Sequence, residues 1–223
     1  TLPVYRGIEL TPEGERYLAA VRRVLAEMRR AERSVGAVAS GPLRISALAS
    51  FTEAYYSFDY GNIHFVVLDS YESDRTPGGN MLQWLQSDLA MNDKQWLIGV
   101  WHHPPYTKGS HDSDEEAGLI DMRQNVLPIL EAWGVDLVLA GHSHTYERSY
   151  LVDGHYGLSG TLNINDNILD IGDGSETGDG AYQKPDIVAA EHEGAVYAVA
   201  GSSGKVSLGY ALNHPVMFIA LES

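Results

Sequence analysis

The sequence predicts an α/β domain in which helices are layered on a sheet, preceded by a separate long helix. Three observations carry that prediction. From Tyr55 onward, short apolar runs alternate with segments of helical period, the order expected of helices packed on a largely parallel sheet. Before that point, apolar residues recur at a spacing of three and four, which is a helix with one apolar stripe. The charge also changes sign between the two parts. Residues 1–50 hold eight arginines and five glutamates. The other 173 residues hold seven basic and 25 acidic groups and all nine histidines, the first being His64. These differences set the expected boundary near residue 50, giving a helical piece over 1–50 and a second domain over 51–223.

Each element has its own signal. Thr11-Pro12 starts the helix, with a hydroxyl cap and then a proline where no amide is needed. Leu18, Val21, Leu25, Met28, Glu32 and Val35 form a heptad seam with one polar interruption. Such a stripe packs either on its own domain or on a second copy of the helix, and the heptad spacing favours a homo-oligomer. Gly36 and Gly41-Pro42 end the helix, and Leu43, Ile45, Ala47 and Ala49 alternate like a strand. In the second part, HFVVLDS (64–70), QWLIGVWHH (95–103) and VDLVLAGHSH (135–144) read as buried strands. MLQWLQSDLA after Asn80 and LIDMRQNVLPILEAWG read as helices, with Pro128 starting or kinking the second. The acidic, glycine-rich run 163–180 lacks the spacing of a twelve-residue calcium loop and reads as a solvated loop.

Composition excludes several classes of function. A net charge of −15 opposes nucleic-acid binding, which needs clustered cations against phosphate. The chain has no cysteine, so thiolate metal sites and cysteine nucleophiles are excluded. No apolar run approaches the roughly 18 residues of a membrane span. Thr1 to Leu10 show no signal-peptide pattern, so the expected compartment of the sequence as written is the cytoplasm.

The chemistry gathers where two strands end in histidines. In open α/β sheets ligands collect at the carboxyl ends of strands. Gly141-His142-Ser143-His144 ends one run and His102-His103-Pro104-Pro105 ends another. On an extended strand end, residues i and i+2 face the same side, so His142 and His144 would point together. With His102 they would make a three-imidazole site open to water. The plain alternative is a set of hydrogen-bonded histidines. Asp69, at another strand end, reads as a cap before a ligand, and His103 as a support. His155, His192 and His214 match no ligand spacing. Arg148 is expected to pair within its own YERS turn.

Two resemblances add to this. RGIELTPEGERYLAAVRRVLAEMRRAERSVGAVASGPLRISALASF is similar to the linker helix and first effector-domain strand of LysR-type regulators, whose linker helices dimerise. The family's recognition helix has no counterpart here, so DNA binding is not implied. VWHHPPYTKGSH, LVLAGHSHTYERSYLVDGHYG and YYSFDYGNIHFVVLDS resemble calcineurin-like metallophosphoesterases, most closely their purple acid phosphatase branch, which is often secreted. That resemblance implies the second half of an αββα sandwich, here a truncated one. It also implies metal ligation by His102, His142 and His144, with His111 beside the substrate phosphate as proton donor to the leaving group. A solvated loop histidine is the other reading of His111.

The implied cofactor is a divalent transition metal, zinc or manganese first and iron third. The family's aspartate motifs and its Asn-His pair have no match, so the site is expected to be remodelled, with His103, His111, Asp69, Asp112 or Asp114 as further candidate ligands. The expected activity is metal-dependent hydrolysis of a small phosphoester, diesters before monoesters, by metal-activated water. The alternative is a catalytically inactive fusion that only oligomerises or binds metal.

Overall fold

The computed structural model describes residues 55–185, 189–203 and 208–222. The expected N-terminal helix, its seam and the strand at 43–49 lie outside these residues. The described part is a mixed α/β fold around a seven-stranded sheet. Strands β1 (Tyr56–Tyr60), β2 (Ile63–Val67), β3 (Trp96–Val100), β4 (Leu137–Ala140), β5 (Tyr146–Ser149), β8 (Val196–Ala200) and β9 (Met217–Leu221) stand in the order β1-β2-β3-β4-β8-β5-β9. The four central strands, β2, β3, β4 and β8, run parallel. β1 at one edge and β5 and β9 at the other are antiparallel to their neighbours. Three of the four parallel strands are the apolar runs read from the sequence.

Helix α1 (Asn80–Leu89) crosses from β2 to β3. It buries Met81, Leu82, Leu85 and Leu89, one stripe at helical spacing. Each fully buried side chain of this size contributes roughly 1.5–3 kcal/mol. The helix opens on Gly79, where an added Cβ would lie 2.4 Å from the Asp74 carbonyl oxygen, so only glycine fits. The second crossover is a broken helix. α2 (Ala117–Asp121) runs into a π-helical turn, Met122–Val126, and then into α3 (Leu127–Ala132), with Pro128 in the first turn of α3. Proline has no amide to continue the i to i−4 ladder, and the register widens just before it. Proline therefore acts here as start and kink together. Met122, Val126, Leu127 and Leu130 join Val66, Leu97, Val138 and Tyr197 in one core under the sheet.

The acidic run departs from the solvated-loop reading at its start, whereas 171–180 is irregular and open to solvent as expected. Ile164–Asn167 forms the short helix α4, capped by the Asn163 side chain, and Ile168–Asp170 forms β7, which pairs with β6 (Leu151–Val152). Short polar side chains bonding local amides replace the apolar pattern there. No helix among the described residues is long and apolar enough to cross a membrane.

Candidate metal and phosphoester site

The site lies just beyond the carboxyl ends of β3 and β4. These strands pair in parallel, with Val100 beside Leu139, so the residues that follow them emerge together. Gly141 N donates to the His102 carbonyl oxygen at 3.1 Å and carries the pairing one step past the strands. His102 Nε2 then lies 2.9 Å from His142 Nδ1. His142 Nε2 is 3.2 Å from Glu116 Oε2, and His111 Nδ1 is 2.8 Å from Glu116 Oε1. The His111 and His142 rings lie against each other, tilted by 33°, with centroids 3.7 Å apart. Three imidazoles and one carboxylate thus form a single connected group drawn from three segments.

The extended H-x-H reading is corrected. β4 stops at Ala140, and His142 has φ +61°, in the left-handed region. The turn sends the two rings different ways. His142 enters the cluster, whereas the His144 ring stands edge-on to His111 at 6.3 Å and its amide donates to Ser110 Oγ at 2.8 Å. Glycine makes room for this turn: a Cβ on Gly201 would lie 1.9 Å from the Ser143 carbonyl oxygen. A Cβ on Gly109 would lie 2.3 Å from Ser143 Oγ.

The loop bearing His111 is anchored below by buried Glu147. Thr107 Oγ1 donates to its Oε1 at 2.5 Å and Lys108 N to its Oε2 at 3.3 Å. Burial raises the Glu147 carboxyl above its usual range, and these donors offset only part of that.

The other candidate residues take supporting positions. His103 is buried, and both its amide and its Nδ1 engage Ser70 Oγ, at 3.1 and 2.9 Å. Asp69 is a cap: its two oxygens accept from the amides of Tyr71, Glu72 and Ser73 and from the Ser73 hydroxyl. Asp112 and Asp114 turn to Lys108, with Nζ at 2.5 and 2.8 Å. Arg148 does not pair within its turn. It donates to the Asp173 carbonyl oxygen at 2.7 Å and lies over the Phe218 ring at 5.3 Å.

Glu116 is the residue that sequence reasoning missed. It sits in the acidic run Asp112, Asp114, Glu115, Glu116, and its type alone does not separate it from the others. What selects it is its place at the cap of α2, which turns it back over His111.

Electrostatics favours donors that need no deprotonation at neutral pH. Burial, with the neighbouring His142, His111 and His144, pushes His102 down to about 4. His103 goes to about 4 from burial, His142 and His102. His142 is also lowered, burial outweighing its bond to Glu116. Burial would raise Glu116, but its bonds from His142, His111 and the Asp112 amide hold it below the ordinary carboxylate value. Neutral imidazoles with one carboxylate are the donor set of a divalent transition ion. One ligand atom from each of His111, Glu116 and His142 lies within 4.8 Å of the other two, so these residues fit such an ion.

A second group of this kind, Glu131, Asp153 and His192, is a framework contact. The Glu131 oxygens already accept from Tyr156, Tyr197 and the Gly154 amide, and His192 Nδ1 holds Asp153 at 3.1 Å.

Comparison with known proteins gives the family. The family model described as calcineurin-like phosphoesterase matches residues 27–146, more than half of the chain. Probable purple acid phosphatase 20 of Arabidopsis thaliana is 35% identical over 130 residues, 56% of this chain and 29% of that protein. Purple acid phosphatase 23 of the same plant is 39% identical over 107 residues, 46% of this chain and 22% of that protein. The chain therefore spans less than a third of the length of these relatives. The structure of purple acid phosphatase PPD1 from seeds of yellow lupin (Lupinus luteus) superposes with a TM-score of 0.55 at 20% identity. That superposition covers 76% of this chain and 26% of the lupin protein, and it shows a shared fold. With over half of its length matched by the family model, the chain belongs to the calcineurin-like phosphoesterases.

Proposed function

We propose that the chain is a metal-dependent phosphoester hydrolase acting at the His102–His142–Glu116–His111 cluster. The observation that carries this reading is the continuity of that group: three imidazoles and one carboxylate, joined by contacts of 2.8 to 3.2 Å, at the carboxyl ends of two parallel strands. Of the three residues that fit an ion, His142 and Glu116 would hold it, zinc or manganese first, with His102 beside His142 at 2.9 Å and His111 kept for the proton. The ion supplies Lewis acidity at the phosphoryl oxygen and lowers the pKa of water.

The protein's own groups do the rest. Buried His103, fixed by Ser70, packs against His142 with ring centroids 4.5 Å apart and keeps bulk water from that side. Glu116 holds His111 through Nδ1, and the imidazolium form of His111 would pass its Nε2 proton to the departing oxygen, leaving a neutral ring. Diesters are favoured over monoesters, because a monoanion meets less repulsion from Glu116 and from a chain of charge −15 than a dianion does. From the heptad spacing of Leu18, Val21, Leu25, Met28 and Val35 in the sequence we further propose that two copies of the chain associate.

The test is hydrolysis of bis(p-nitrophenyl) phosphate and p-nitrophenyl phosphate with added zinc or manganese. Turnover above the free ion, faster for the diester and lost with chelator and in His142→Ala, supports the reading. No turnover above the free ion supports the inactive alternative.

A further inference from the structure

We infer that the cavity beside His111 is the subsite for the leaving alcohol, and that it takes an uncharged, hydroxyl-rich group such as a polyol or sugar. This deepens the phosphoester reading and rests on it. The cavity is about 430 Å³, within the range of small-molecule sites, and His111 lines it as well as the metal-binding cluster. A phosphoester whose phosphorus sits at the cluster therefore has its leaving group beside this space.

The cavity walls are tied together. Leu212 N donates to the Lys108 carbonyl oxygen at 3.1 Å. Ser159 donates to Asp114 through its amide at 2.9 Å and its hydroxyl at 2.5 Å. The cavity is thus preformed, which lowers the ordering cost of binding.

The lining sets the chemical class. Among the described lining residues, His111, Asp112, Ser159 and Asn213 offer donors and acceptors, and Ala211 is the one apolar side chain. Among the described lining residues His111 is the one ring, so the described wall favours hydrogen bonding over stacking. Lys108 is not available as a phosphate clamp, because Asp112 and Asp114 already hold its ammonium. A leaving group carrying a second phosphate would meet two carboxylates around one lysine. The other nearby cation, Arg123, is wholly buried and spends Nη1 on the carbonyl oxygens of Pro105 and Ser113.

The reaction balances without a co-reactant. Water forms one P–O bond, the bond to the alcohol breaks, and a proton ends on the departing oxygen.

The experiment compares glycerophosphoglycerol, a diester of two hydroxyl-rich alcohols, with bis(p-nitrophenyl) phosphate, using the full chain with zinc. Asn213→Leu is the variant. Loss of one or two hydrogen bonds to the alcohol should raise KM for glycerophosphoglycerol about tenfold and leave KM for the aryl diester within about twofold. Equal changes for both substrates, or none, would overturn the inference. Saturation-transfer NMR on the metal-free chain reads the same site without turnover. The glycerol protons should receive saturation in the wild type and lose most of it in Asn213→Leu. If neither diester is hydrolysed, the phosphoesterase reading fails, and the NMR result still decides for or against the polyol subsite.

Discussion

His142 sits where backbone and side-chain demands conflict. Its φ of +61° costs an L-residue roughly 1–2 kcal/mol, yet the same conformation turns its ring onto His102 and Glu116. His142→Gly should therefore hold its stability or gain about 1 kcal/mol, while losing most of its metal affinity. Thermal melts of metal-free protein and a zinc titration would check the two halves separately. A clear loss of stability in the metal-free form would show that the ring matters to the fold. Glu116→Gln keeps the shape and removes the charge. It should weaken metal binding by about tenfold to a hundredfold, the range seen when groups that hold or orient ligands are lost. A competition titration with a coloured chelator would measure it. At this scale the sequence was only partly legible. His102, His111 and His142 were visible as histidines at strand ends or in the next loop. The left-handed turn was not, because nothing in G-H-S-H announces where the strand stops. Glu116 was hidden among acidic neighbours of the same type.

The elements around the site were easier to read, because apolar period and proline chemistry act locally. The strands β2, β3 and β4 and the helix α1 follow from short apolar runs and one helical stripe. Pro128 foretold the break between α2 and α3 through its missing amide. The pairing of β6 with β7 was not legible, since polar side-chain caps replace the apolar pattern there. The histidine turn depends on close backbone packing that only the assembled sheet creates. Gly201, just after β8, lies against Ser143 with no room for a methyl group. Gly201→Ala should push the turn outward, cost about 1–3 kcal/mol and lower metal affinity in the same variant. Denaturant melts and metal titration together would check this. Lost stability with unchanged metal binding would mean that the turn is set elsewhere.

For the whole molecule, stability should depend on pH through two opposing sets of groups. His102 and His103 are held near 4, below the ordinary 6.5 of histidine. Between pH 6.5 and 4 the unfolded chain takes up protons that the folded chain refuses, so stability falls as pH falls through this window. Buried Glu131 is shifted the other way, to about 6 from 4.5, because burial outweighs its three donors. Its contribution is present below pH 4.5 and is lost as pH rises through 6, on the order of 2 kcal/mol. In Glu131→Gln the opposition to the histidine effect should weaken, and the acid-side loss of stability should become steeper than in the wild type. Melting temperatures of both proteins from pH 7 to pH 4 would show it, and parallel curves would contradict it.

The central claim is that the cluster of His102, His111, Glu116 and His142 holds a divalent ion. Elemental analysis of gel-filtered protein after zinc loading, wild type beside His142→Ala, tests it most directly. The account predicts at least one ion per chain in the wild type and a loss of that ion in the variant. Equal metal in both proteins, or none in either, would contradict it.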